Sequence, residues 1–255
     1  MAAWNAYAIL LRDAGHPHAE AIRRAFRVFR HLTDADAIRL AANAQGILLR
    51  HLQVDEAKAF QHALAQEGVR VALVKEEALH FLPASQQVER LEFAPDALLI
   101  FDCQGRATSL AWPDIALLAA GAVPHLEIGA RQTPSTAAPR AGGWGIRSRR
   151  ANGPQQLKTG RLFILELTNT DTTSRYEIQA QEFGFGPLPV AAGASLMEKF
   201  VWLVRALLAR APHARLNRGA LDIRDGVELV RGYASRQALL DEIVWLLWNA
   251  RHPTG

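Results

Sequence analysis

The chain has 255 residues, of which 49% are hydrophobic and 21% charged, with a net charge of +4. This balance excludes wholesale disorder, collagen-like repeats and coiled-coil rods, and the length suits one large or two small domains. The single cysteine, Cys103, excludes an intramolecular disulfide framework and a cysteine-rich zinc module. No apolar run reaches the ~20 residues needed to span a bilayer, and no basic leader precedes an apolar stretch, so a cytoplasmic setting is expected.

Tyr7–Arg12 (YAILLR) is a short apolar run stopped by Asp13-Ala14-Gly15 and reads as a strand. Ile22, Ala25, Phe26 and Phe29 recur at i, i+3, i+4 and i+7, one face of a helix, with Pro17 suited to its start. Thr33 offers an N-cap, with Asp34 and Asp36 in the first turn of a second helix that Gly46 ends. Gly46–Leu52 (GILLRHL) reads as a second strand. A third helix starts near Asp55 with Ala57, Phe60 and Leu64 inward, and Gly68 closes it. Val69–Val74 is the third strand, with Val69, Val71 and Leu73 on one face. The order is β-α-α-β-α-β over residues 1–82, with helices covering one face of the sheet.

This unit resembles the C-terminal domain of the bacterial ribosomal stalk protein. The likeness rests on ILLRDAG (Ile9–Gly15), HAEAIRRAFR (His18–Arg27), DADAIRLA (Asp34–Ala41) and VDEAKAFQHALAQEGVRVALV (Val54–Val74). The resemblance implies that the first helical hairpin docks acidic helices of a partner protein, through the positions held here by Ile22, Arg23, Arg24, Arg27 and Arg30. Two features depart from that family. His31-Leu32-Thr33 replaces its glycine-bearing turn, and Asp34 and Asp36 stand where its second helix opens with lysine. Read from spacing alone, Arg23, Arg27 and Arg30 at i, i+4 and i+7 form a basic stripe opposite the apolar face.

Residues 90–255 predict an antiparallel β-rich domain with two C-terminal helices, so the class is α+β. Leu98–Asp102 and Arg106–Trp112 form a hairpin, and the apolar run Ala116–Val123 follows. Leu162–Leu167 (LFILEL) is a further strand, and Arg175–Phe185 reads as a half-buried one. Ser195 with Glu198 makes a capping box before a helix ending at Arg210-Ala211-Pro212. Ser235 caps a last helix whose stripe is Leu239, Leu240, Ile243, Val244, Leu247 and Trp248. The hairpin ending in Trp112-Pro113-Asp114-Ile115 is similar to small bacterial domains related to pleckstrin-homology folds. That likeness implies peptide or lipid-headgroup binding, but no lysine cluster on a hairpin supports the lipid.

Between the strands lies a proline- and glycine-rich stretch. Residues 124–160 hold six basic groups and one acidic one, and about 129–159 read as a mobile basic loop. Arg147, Arg149, Arg150 and Lys158, with Trp144 available for stacking, make nucleic acid the alternative partner.

No phosphate loop, nucleophile elbow or metal-ligand spacing appears, and no catalytic residue, metal or cofactor is expected. His16 and His18 lack further ligands, and Asp102 beside Cys103 disfavours a thiolate. The leading expectation is a non-catalytic adaptor of two separately cored units that docks an acidic protein partner. Nucleic-acid association is the alternative, and an enzyme with an interdomain cleft the second. Partner identity and oligomeric state are open.

Overall fold

The computed structural model describes residues 6–13, 17–29, 33–42, 46–128 and 157–252. The N-terminal lobe contains β1 (Tyr7–Leu11), α1 (Ala19–Ala25), α2 (Asp34–Ala42), β2 (Ile47–Leu52), α3 (Val54–Gln66) and β3 (Val71–Lys75). Its strands lie in the order β2-β1-β3, both pairs antiparallel. Capping sets the helix starts. The Asp36 carboxylate accepts from the Thr33 N–H at 2.9 Å, and the Thr33 hydroxyl accepts from the Asp36 N–H at 3.3 Å. Gln53 and Glu56 form a capping box on α3, and Gly68, at φ +75°, ends it in the left-handed region. One correction concerns α1. The helix stops at Ala25 and continues as a 3₁₀ turn over Phe26–Val28, with Phe29 extended. Phe29 nevertheless stays inside, where Phe26, Phe29 and Phe60 meet at centroid distances of 5.1–6.0 Å. Ile9, Ile22, Leu48 and Leu64 complete this core.

The second lobe contains β4 (Ser85–Gln87), β5 (Arg90–Phe93), β6 (Ala97–Phe101), β7 (Ala107–Ala111), β8 (Ile115–Ile128), β9 (Leu157–Asn169) and β10 (Arg175–Gln179). It continues with α4 (Leu196–Arg210), β11 (Arg215–Leu216), α5 (Arg218–Arg224) and α6 (Arg236–Arg251). A five-stranded sheet runs β11-β8-β9-β10-β4, and a three-stranded one β5-β6-β7. The chain is thus α+β, as its sequence predicts. The all-antiparallel expectation is corrected at both edges of the larger sheet, because β11 joins β8 and β4 joins β10 in parallel. These short edge strands come from segments outside the hairpins. The predicted strand Arg175–Phe185 also stops early, since Glu182 N–H bonds Gln179 C=O and turns the chain. The outer face of the sheet packs Leu118, Leu165, Leu167, Tyr176 and Ile178 against Phe200, Leu203, Val204 and Leu207 of α4 and against Leu91, Leu98 and Leu110.

The last helix decides how the lobes relate. On one side Leu239, Ile243 and Leu247 pack on Leu117, Ala119, Val123 and Ile164 of the five-stranded sheet. On the other, Val244, Trp245 and Trp248 pack on Ala8, Leu10, Ile47, Ala72 and Val74 of the N-terminal sheet. The Trp245 indole N–H donates to the Leu11 carbonyl at 2.6 Å. Its ring lies so close to Gly46 (φ +106°) that a Cβ there would fall 2.6 Å from Trp245 Cγ. Arg50 of β2 bonds Asp241 of α6 at 2.9 Å. Each lobe keeps a core of its own, and the expectation of two separate units is corrected only at α6, which packs on both sheets. Helices α1–α3 cover one face of the N-terminal sheet, and α6, contributed by the far end of the chain, covers the other.

Candidate functional site

The expected docking residues do not form one stripe. Ile22 is 0% exposed within the N-terminal core, so its role as an apolar contact is corrected: its side chain points into the sheet, on the helix face that periodicity itself marked as buried. Arg23 donates to Glu20 at 3.0 Å. Arg24 donates through Nε to Glu67 at 2.8 Å, tying α1 to the end of α3 and holding the Glu67 carboxyl below its ordinary range. Arg27 is exposed, on the 3₁₀ turn, and makes no salt bridge to any described carboxylate. Arg30 lies outside the described residues. The break at Ala25 takes Arg27 off the α-helical register of Arg23, which corrects the i, i+4, i+7 geometry.

The structure adds apolar residues that periodicity did not single out. Val28, beside Arg27, is 39% exposed, and Ile38 of α2 is 57% exposed next to Arg39. Few large hydrophobic side chains are exposed among the described residues, and two of them stand on this hairpin. The others, Phe81, Val227 and Leu229, lie outside the hairpin. The sequence signal was available: Ala37, Leu40 and Ala41 recur as the apolar face of α2, and Ile38 falls outside it.

Trp144, Arg147, Arg149 and Arg150 lie outside the described residues, as does the expected loop from 129 to 156. The end of that loop is corrected, because β9 begins at Leu157 and pairs Lys158 with Glu127 of β8 in register.

Sequence reasoning missed two buried polar clusters. In the first, β9 and β10 place Glu166 opposite Glu177 and Thr168 opposite Arg175. All four are buried, on the sheet face that α6 covers, so the reading of β10 as half-exposed is corrected. Glu177 is fully engaged, accepting from Gln179 at 2.6 Å and from Arg236 at the start of α6. Glu166 is not. Arg175 Nε stands 3.7 Å from Glu166 Oε2, and neither Glu166 oxygen accepts a hydrogen bond among the described residues. Thr168 Oγ1, Arg175 Nε and Gln87 Nε2 are also buried without partners. Burial pushes the Glu166 carboxyl up to about 7, against the opposing pull of Arg175 and Arg236. A lone carboxylate inside the apolar run LFILEL was the trace of this cluster in the sequence.

The second cluster is satisfied throughout. The Asn217 amide oxygen accepts from Ala120 and Ala220 N–H groups, both at 2.9 Å. Its NH₂ donates to the Ala120 carbonyl at 3.0 Å and to Tyr233 Oη at 2.8 Å. Tyr233 in turn donates to Glu242 of α6 at 2.5 Å, and burial beside that carboxylate raises the phenol well above its ordinary range. This network joins β8, α5 and α6, and its geometry is that of a structural bracket.

The larger clefts lie elsewhere. One of about 590 Å³ is lined by Arg12, Lys58, His62 and Arg70, and one of about 520 Å³ by Phe93, Leu188, Trp202 and Arg210. Neither contains the arginines of α1 or the buried carboxylates. Among the described residues no group of three or more His, Cys, Asp or Glu side chains is placed to hold a metal ion, and no helix is long and apolar enough to cross a membrane. No family model, curated protein or solved structure matches the chain. The functional reading therefore rests on the geometry.

Proposed function

We propose that this protein is a non-catalytic docking module that binds an acidic surface of a partner protein through the α1–α2 hairpin. The observation that supports this is the pairing of exposed Val28 and Ile38 with Arg27 and Arg39 on one helical hairpin. The guanidinium groups steer encounter with an acidic surface, and the two apolar side chains supply the desolvated centre that charge alone does not. Arg23 and Arg24 have a different part in this reading. Their pairing with Glu20 and Glu67 makes them supports of the hairpin, as the 3.9 Å approach of Arg39 to Asp36 does on α2, so the exposed Arg27 carries the larger share of the net field.

The test compares proteins captured by the intact chain with those captured by Arg27→Glu and Ile38→Ala. An Arg106→Glu change on the β6–β7 turn serves as control. The expected result is a partner with an acidic contact region that binds the parent and the control, weakens steeply with salt and is lost with either hairpin variant. A partner set that neither hairpin variant changes overturns the proposal. Binding of a labelled single-stranded oligonucleotide at low salt that survives both hairpin variants would move recognition to the basic central segment.

A further inference from the structure

The Glu166 cluster has a geometry that the docking role does not use. Two wholly buried glutamates face each other across adjacent strands, and only one has hydrogen-bond partners. The groups around Glu166 come from every element packed there. Glu177 and Arg175 stand on β10, Arg236 on α6 and Thr168 on β9 itself. Gln87 of β4 lies beyond Glu177, and β8 presents only Ala119. Asp241, farther along α6, is occupied by Arg50 and Gln237, and His80 of the connector bonds Thr172 in the β9–β10 turn. With both carboxyls ionised the two arginines balance them, yet Glu166 then holds a buried charge without a hydrogen bond. With one proton on the pair the unbonded charge at Glu166 is removed, and Arg175 gives up its nearest counter-charge in exchange; the desolvation of Glu166 outweighs that pull. The lid over this site is the first turn of α6, fastened by the Arg236–Glu177 ion pair.

We propose that the Glu166–Glu177 pair is a proton-operated latch on α6: the helix start is closed on the five-stranded sheet while the pair holds a proton, and it opens to admit water as the pair ionises. Because α6 also forms one wall of the N-terminal lobe, opening loosens the seating of that lobe.

The sign follows from linkage. The closed state holds the Glu166 proton up to about pH 7, whereas the solvated carboxyl of the open state has its ordinary value of 4.5. Closure is therefore strongest below pH 4.5, weakens as pH rises, and reaches its floor above pH 7. Between pH 5.5 and 8 this difference raises the opening constant by about 30-fold.

Amide hydrogen exchange along residues 236–248, corrected for intrinsic chemical exchange, reads this opening. The expected result is a rise of about 30-fold from pH 5.5 to 8 in the parent protein, with a flat profile in Glu166→Gln. The amides of α4 are expected to show no such slope. A flat parent profile, an equal slope in Glu166→Gln, or an equal slope in α4 overturns the latch. The unsubstituted protein supplies an independent check through ¹³C titration of its glutamate side-chain carboxyls. One glutamate titrating near pH 7 supports the latch, and titration of all of them below about pH 5 overturns it.

Discussion

Removing Trp245 should uncouple the two lobes. The indole is 3% exposed, packs on the N-terminal sheet and bonds the Leu11 carbonyl at 2.6 Å. A buried tryptophan covers roughly 200 Å², which at about 25 cal/mol per Å² corresponds to about 5 kcal/mol as an upper bound. Truncation to alanine therefore costs about 3–5 kcal/mol, since little of the cavity between two rigid layers can collapse. In urea, with a slope of about 3 kcal/mol/M, the midpoint falls by about 1–1.7 M. The parent should unfold in one transition seen alike by circular dichroism and fluorescence. Trp245→Ala should separate an earlier loss of the N-terminal sheet from the unfolding of the five-stranded one. A thermodynamic cycle sharpens the test. Gly46→Ala meets both the ring and a φ of +106°, so it should cost less when Trp245 is already alanine, by the part due to the clash. A Trp245→Ala loss below about 1 kcal/mol, or strictly additive changes at positions 46 and 245, would refute the wedge.

Two further outcomes follow from the α5 bracket. Asn217→Ala strands the N–H and C=O of Ala120 in β8, together with an α5 N–H, and should cost about 3 kcal/mol in denaturant midpoint analysis. Gly219→Ala places a Cβ 1.9 Å from the Ala120 carbonyl oxygen, which is main chain and cannot swing aside. It should lower stability by about 3 kcal/mol or more, whereas Gly186→Ala, with nothing within 4 Å, should stay within about 0.5 kcal/mol of the parent in the same assay.

Local chemistry made the parts of this protein legible. The caps at Thr33, Ser195 and Ser235 operate where their spacing places them, and Gly68 adopts the left-handed conformation that ends its helix; α5, by contrast, is a third helix beyond the two that the sequence predicts for the second lobe. These features depend on residues within a turn of one another, so their signal lies in contiguous sequence. Periodicity also put Ile22 on the inward face of α1, which is the reading that holds, while its assignment to a docking contact came from likeness.

What tertiary structure alone decided was the environment of faces that look polar or spare. Alternation in Arg175–Gln179 says that two faces differ. Nothing within five residues says that a helix beginning at Arg236 will bury the polar one. The same holds for α6, whose stripe reads as a single buried face because periodicity reports hydrophobicity around an axis and not the number of neighbours. Only the return of the chain's end between two sheets made Trp245 a wedge, Gly46 obligatory and Glu166 a buried acid, because burial is a property of contacts between segments far apart in sequence.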